Sequence, residues 1–296
     1  MADRSPSKVA ASTAEGPMAI VAIDQFEPPG VRMVEDALAI EFLSPVTRAT
    51  VRACRWRPLR GLMRRLTEAV GPGVWNGVLC RKRYIDTGLA EALDAGIASV
   101  LVLGAGLDTR ACRVVAPTGR AAFEVDLPAN VTAKARAIRR ALGAVPPELR
   151  LVAMDFEADD LAARLAEAGF DFDRPAFVIW EGVTQYLDAE AVRRSLAALA
   201  GLAPGSQLVF TYVLADLIAG TAMHGGEKFH RRFVEKMGIW KFGLMPETAA
   251  ALLGEFGWQI VDDAGSADYA ARFGLGASAA RDIMAIERIA LAEKRG

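Results

Sequence analysis

The sequence predicts an α/β fold: a doubly wound, mostly parallel sheet with helices on both faces. Two observations carry that expectation. Short apolar runs bounded by turn residues recur from residue 98 onward, and each is followed by residues spaced for a helix. The runs are apolar on both sides of the strand, as in sheets buried on two faces.

The elements follow in order. Residues 1 to about 15 are rich in Ser, Ala and Lys and are expected to be loose. From there to Cys80 the pattern is helical, without a convincing strand, and residues 1–80 are expected to form a helical cap. Residues 81–296 then form the core. Ile85, Leu89 and Ala92 share one helical face. Strands are expected over 98–103, Ala122–Val125, Leu149–Met154, Ala176–Trp180 and Gln207–Val213. Helices between them carry the stripes Val131/Ala135/Ile138/Leu142, Leu161/Leu165 and Val192/Leu196/Leu199, the last capped by Asp188. Residues 214 to 244 break the rhythm and read as an insertion over the sheet edge. A helix starting near Pro246, a strand Trp258–Val261 and a final run Asp282–Leu291 close the sheet, the last two expected to pair as an antiparallel hairpin.

Bulk properties bound the function. The 296 residues carry a formal charge of −1, with 52% apolar and 24% charged residues, so nothing draws the whole molecule to nucleic acid or membrane. Arg48 to Arg65 holds seven arginines (48, 52, 55, 57, 60, 64, 65) and no acid. A basic helix can meet an anionic surface. A solvated face with arginine stems on apolar neighbours is the preferred reading, because the rest of the chain is not basic. Cys54, Cys80 and Cys112 form neither a CxxC pair nor a disulfide framework. With His224 and His230 the only histidines, no metal is expected. No signal or spanning segment stands out, so a cytoplasmic protein is expected.

Four strand ends carry candidate chemistry. Val100 to Leu103 runs into Gly104-Ala-Gly106, whose glycines let the backbone pass close to a ligand, and a helix start supplies free N–H groups. The third glycine of the dinucleotide fingerprint is missing, since Thr109 stands there. Asp126 lies 22 residues beyond Gly104, near the spacing at which an acid meets a ribose hydroxyl pair. The competing readings are that Asp126 only caps the next helix, or that Glu124 is the acid. Asp155-Phe156 could accept from an adenine amine and pack on the base, or merely cap a helix. Glu181 at the end of the fourth strand needs a cationic partner, from a ligand or from an arginine of this chain.

In combination these stretches resemble the leucine carboxyl methyltransferase-like superfamily, most closely its bacterial branch of S-adenosylmethionine-dependent methyltransferases. The matching stretches are Arg81-Lys-Arg-Tyr-Ile-Asp86, Leu103-Gly-Ala-Gly-Leu-Asp-Thr-Arg110, Phe123-Glu-Val-Asp-Leu-Pro128, Asp155-Phe156 and Glu181-Gly-Val-Thr-Gln-Tyr186. The resemblance covers roughly residues 15 to 290. It implies the class I methyltransferase fold, a Rossmann-like sheet of seven strands with the last antiparallel, and S-adenosyl-L-methionine as cofactor with S-adenosyl-L-homocysteine as product. It also implies roles: Arg81 for the methionyl carboxylate, Gly104 and Gly106 lining the cofactor, Asp126 for the ribose, Asp155 and Phe156 for adenine, Glu181 near the methionyl ammonium.

The expected activity is O-methylation of a hydroxyl or carboxyl group on a small molecule. A carboxylate acceptor needs no base; a hydroxyl is helped by one, and His224, His230 and Tyr212 are the weak candidates. Two rival readings stand beside it. One is a nicotinamide-dependent oxidoreductase, which the missing glycine disfavours. The other is a non-catalytic S-adenosylmethionine-binding protein, which the retained acids disfavour.

Overall fold

The computed structural model describes residues 14–274 and 283–296. The expectations for residues 1–13 and for Asp282 therefore lie outside the described residues.

Five helices precede the sheet: α1 (Glu15–Asp24), α2 (Ala39–Phe42), α3 (Pro45–Ala53), α4 (Arg57–Val70) and α5 (Val74–Asp94). Met18, Val21, Leu43, Val51 and Val78 pack them into a cap with its own core. Ser44 caps α3, its hydroxyl accepting from Thr47 N, and Glu15 accepts from Ser44 N at 2.9 Å. The basic stretch is tied into this cap. Arg48 donates to the carbonyls of Ile40, Glu41 and Leu43; Arg60 pairs with Glu27 at 2.7 Å; Arg55 lies over the Phe26 ring. Helix α5 runs unbroken through Cys80 and Arg81, so the cap and the sheet share one helix.

The sheet strands are β1 (Ser99–Leu103), β2 (Ala121–Asp126), β3 (Leu149–Ala153), β4 (Ala176–Trp180), β5 (Gln207–Val213), β6 (Trp258–Ala264) and β7 (Glu287–Lys294). Their order is β3-β2-β1-β4-β5-β7-β6. β1 to β5 pair in parallel, whereas β7 pairs antiparallel with both β5 and β6. The seven-stranded sheet with its last strand antiparallel is thus the expected one. Alternate residues feed two cores: Leu101 and Leu103 point into one, Val100 and Val102 into the other.

Helices α6 (Pro128–Leu142), α7 (Leu161–Glu167), α8 (Ala189–Leu199), α11 (Pro246–Gly254) and α12 (Ser266–Arg272) cover the faces. Asp188 caps α8 by accepting from Ala191 N at 2.7 Å. The stripe expected on α6 is displaced: Leu142 is exposed, and Lys134 and Ala137 turn inward beside Ile138. Lys134 is drawn in because its ammonium meets the buried Glu124 at 2.7 Å and the Ala105 carbonyl at 3.3 Å. Apolar periodicity gives no sign of such a buried cation.

Between β5 and α11 the insertion holds α9 (Ala215–Ala219), α10 (Glu227–Phe229) and a π-helical turn, His230–Lys236. A parallel bridge between Leu214 and Leu244 closes its base. No helix among the described residues is long and apolar enough to cross a membrane.

Candidate functional site

The sheet reverses direction of winding at β1, flanked by β2 on one side and β4 on the other. Ligands of doubly wound sheets bind in the crevice beyond the strand ends at such a point. Here a cavity of about 590 Å³ opens over that rim. Small-molecule sites run to roughly 300–1,000 Å³.

Gly104 ends β1 with φ of +65°, and a Cβ there would lie 2.3 Å from Val183 Cγ2. Only glycine lets the loop after β1 close on the loop after β4. Its partner Gly106 donates its N–H to Asp126 Oδ2 at 2.5 Å, while Asp126 Oδ1 accepts from Leu127 N and Asn130 Nδ2, both at 2.7 Å. The Asp126 carboxylate is therefore fixed to the glycine loop rather than serving only as a cap. Asp155 accepts from Glu157 N at 3.0 Å, and its neighbour Phe156 is buried.

Arg81, Gly104, Gly106, Asp126, Asp155, Phe156 and Glu181 all line this one cavity. Sequence positions spread over a hundred residues are gathered by the parallel register, which sets consecutive strand ends side by side.

The floor is an ionic network. Glu181 accepts from Arg81 Nε at 2.7 Å, Lys82 Nζ at 3.0 Å and Arg110 Nη1 at 2.8 Å. Burial pushes its carboxyl upward, but Lys82, Arg110 and Arg81 outweigh it and hold Glu181 well below the usual carboxylate range. Of the two partners the sequence allowed for Glu181, the structure supplies the protein's own cations. Arg81 also donates to both oxygens of Glu287 at 2.8 and 2.9 Å. Arg110 joins Asp86 and Asp108 as well. Its guanidinium is buried, so these carboxylates offset a large desolvation cost.

The other half of the cavity is apolar. Phe229, Phe233 and Trp240 stack in one slab, with ring centroids 4.8 to 5.9 Å apart and interplanar angles of 4° to 24°. Met284, Ile286 and Val78 continue the wall. Phe229 is seated on the backbone of Gly71, where a Cβ would approach Phe229 Cε2 to 1.9 Å. Lys228 Nζ reaches the Ala69 carbonyl at 2.6 Å. The insertion is thereby clamped onto the turn between α4 and α5, and the two together roof the site.

The three expected bases are elsewhere. Tyr212 is buried on the opposite face of β5 with its hydroxyl donating to Asp263 at 2.6 Å. Burial, then this bond, pushes its phenol well above the usual value. His224 contacts Asp216 at 2.7 Å, and His230 Nδ1 lies 2.7 Å from the Leu217 carbonyl. None of the three borders the cavity. Tyr212, a candidate because it lies just before the insertion, shares a face of β5 with Leu208 and Phe210 and so turns into the core. The histidines brace the insertion.

Several cavity residues carried no warning in the sequence. Glu287 is one, since a single acid at the start of a final strand looks like any solvated edge charge. Trp240 is another, in a stretch with no regular period; Gln185 stands in the matching Glu181–Tyr186 stretch, but the resemblance implies no role for it.

The donor set suits an adenosyl amino acid: an acid at the end of β2 with an amide on the first turn of α6, acid and aromatic after β3, guanidinium on α5, and a loop that only glycine permits. The leucine carboxyl methyltransferase family model matches residues 14–200. A Mycobacterium avium protein named "Putative S-adenosyl-L-methionine-dependent methyltransferase" is 39% identical over 189 residues, which is 62% of this chain and 61% of that protein. A Mycobacteroides abscessus protein of the same name is 40% identical over 139 residues, covering 46% of this chain and 45% of its own length. The chain thus matches about three-fifths or less of these relatives. Among solved structures, a Thermobifida fusca protein described as a "putative methyltransferase" superposes with a TM-score of 0.58 at 18% identity, over 91% of this chain and 98% of the other. A DUF574 family protein from Streptomyces avermitilis gives 0.56 at 17% identity, over 88% and 97%. These two likenesses bear on the fold alone. Because the family model spans more than half of the sequence, the chain belongs to the leucine carboxyl methyltransferase family.

Proposed function

We propose that the protein is an S-adenosyl-L-methionine-dependent methyltransferase acting on an oxygen, hydroxyl or carboxyl, of a small molecule. The observation that carries this reading is the convergence of Arg81, Asp126, Asp155, Phe156 and Glu181 on one cavity whose remaining wall is apolar. The relatives' names support it.

When bound, S-adenosylmethionine supplies a methyl group on a cationic sulfur that leaves as a neutral thioether. Asp126 would hold the ribose hydroxyls, with Asn130 beside it. Asp155 and Phe156 would take the adenine. Arg81 would meet the carboxylate end, oriented by Glu181 and Glu287. The slab of Phe229, Phe233 and Trp240 excludes water and aligns the acceptor. The acceptor oxygen would form the new C–O bond as the C–S bond breaks, a carboxylate having no proton to lose and an acidic phenol having given its proton to solvent before entering the cavity. Tyr212, His224 and His230 lie off the cavity wall, and an oxygen that is already anionic, a carboxylate or an acidic phenol, would need none of them. Thr109, its hydroxyl donating to Asp36 at 2.6 Å, stands where the dinucleotide fingerprint has its third glycine, which counts against the nicotinamide alternative.

Isothermal titration calorimetry tests the reading. S-adenosylmethionine and S-adenosylhomocysteine should bind saturably, and Asp126→Ala should weaken both at least about tenfold, the scale of a lost charged hydrogen-bond pair. Absence of binding to the wild type would overturn it.

A further inference from the structure

We propose that the methyl acceptor is a flat, ring-bearing molecule that lies against Trp240 and Phe233 and brings a hydrogen-bond donor to the Gln185 carboxamide. The inference rests on the methyl-transfer reading and names the class of its second substrate.

Two buried polar groups on the cavity wall lack partners. Gln185 is 5% exposed and its Oε1 has no hydrogen-bond partner; Trp240 is 8% exposed and its Nε1–H has none. Unpaired buried polar atoms are uncommon in folded proteins and call for a reason. Both residues line the cavity, and they are neighbours, because Lys241 N donates to the Gln185 carbonyl at 2.7 Å. That bond fixes the backbone at 185, while the terminal torsion of the carboxamide is a soft sp³–sp² bond. A small rotation offers Oε1 to a molecule in the cavity.

The wall beside the amide selects shape. Trp240 and Phe233 lie 4.8 Å apart at 20°, a nearly parallel pair continued by Phe229. Aromatic faces take another ring in offset stacking, a gain that an aliphatic chain does not share. The slab is also held rigid from behind, Phe229 on Gly71 and Lys228 on the Ala69 carbonyl. A rigid planar wall with one unsatisfied acceptor at its edge fits a ring with an O–H or N–H substituent.

The test uses full-length protein saturated with S-adenosylhomocysteine and two probes, 3-hydroxy-2-naphthoate and dodecanoate, titrated by calorimetry. The naphthoate should bind more tightly than dodecanoate. Gln185→Leu and Trp240→Leu should each weaken it about tenfold, as expected for a lost hydrogen bond to a charged or buried partner or a lost stack. Trp240→Phe should restore most of the affinity, which separates ring loss from misfolding. Affinity for S-adenosylhomocysteine should change less than about twofold in all three, since none touches the β2 and β3 strand ends. Preference for dodecanoate, or naphthoate affinity unchanged in Gln185→Leu and Trp240→Leu, would overturn the proposal. Should S-adenosylhomocysteine itself not bind, the methyl-donor reading falls, and naphthoate titrated into the unliganded protein and the same variants still decides the ring subsite.

Discussion

Arg81 on α5 and Glu287 at the start of β7 stand 206 residues apart in the chain, yet one guanidinium nitrogen of Arg81 meets both carboxylate oxygens of Glu287 at 2.8 and 2.9 Å. Glu181 holds the same guanidinium from another side at 2.7 Å. The antiparallel last strand thus reaches back to the rim and fixes the side chain that would face the cofactor's carboxylate. Glu287→Gln should loosen Arg81, weakening S-adenosylhomocysteine about tenfold, while thermal unfolding shows a cost of up to about 3–5 kcal/mol, the range for one lost partner of a buried ion pair. Calorimetry and melting curves check both. Unchanged affinity would show that Arg81 needs no support from β7.

The seat of Phe229 on Gly71 gives a second expectation. Gly71 has extended backbone, φ −165°, so an alanine there is not strained in itself and the penalty is contact with the ring. Gly71→Ala should cost about 1–3 kcal/mol, the range for overpacking. Gly71→Ala combined with Phe229→Leu should cost less than the sum of the single changes, because the smaller side chain vacates the space. Denaturant unfolding of the four proteins measures the coupling; strict additivity would show that the roof does not rest there.

Removal of the off-site candidates should leave chemistry intact. Tyr212→Phe loses the hydroxyl bond to Asp263. It should cost stability, about 1 kcal/mol, without changing S-adenosylhomocysteine affinity. His224→Ala and His230→Ala should likewise leave cofactor affinity within about twofold, as neither histidine borders the cavity. A large loss in any of the three would move that residue back toward the reaction.

Glu124 behind the glycine loop predicts a pH effect. Burial raises its carboxyl to about 7 from an ordinary 4.5, and the facing Lys134 offsets this only in part. Between those values the folded protein holds more protons than the unfolded chain, so this group's contribution falls as pH rises from about 4.5 to about 7 and is then level. Glu124→Gln should flatten that part of the stability profile. Chemical denaturation at pH 5, 6 and 7 of the two proteins measures it, and parallel profiles would contradict it.

The positions of the core strands were readable because most are short, apolar on both sides and closed by a glycine or an acid, as at Leu103-Gly104 and Val125-Asp126. The same regularity marked the residues at the rim. It gave no facing for Tyr212, a candidate only through its nearness to the insertion, and it failed at Lys134, a cation buried for a partner ten residues earlier. The part played by Glu287 comes from Arg81, 206 residues away in the chain, and the setting of Gln185 from the backbone at Lys241, links that no local period encodes; Trp240 stacks on nearby Phe233 and Phe229, but in a stretch without a regular period. The cap helices were legible as helices. Which of their arginines would be spent on carbonyls, as Arg48 is, was not.

A crystal grown with S-adenosylhomocysteine tests the central claim most directly. Density should fill the cavity with the adenine against Asp155 and Phe156, the ribose at Asp126 and the carboxylate at Arg81. Density in another part of the molecule, or a ligand lying in the cavity without contact to Asp126 and Arg81, would contradict it.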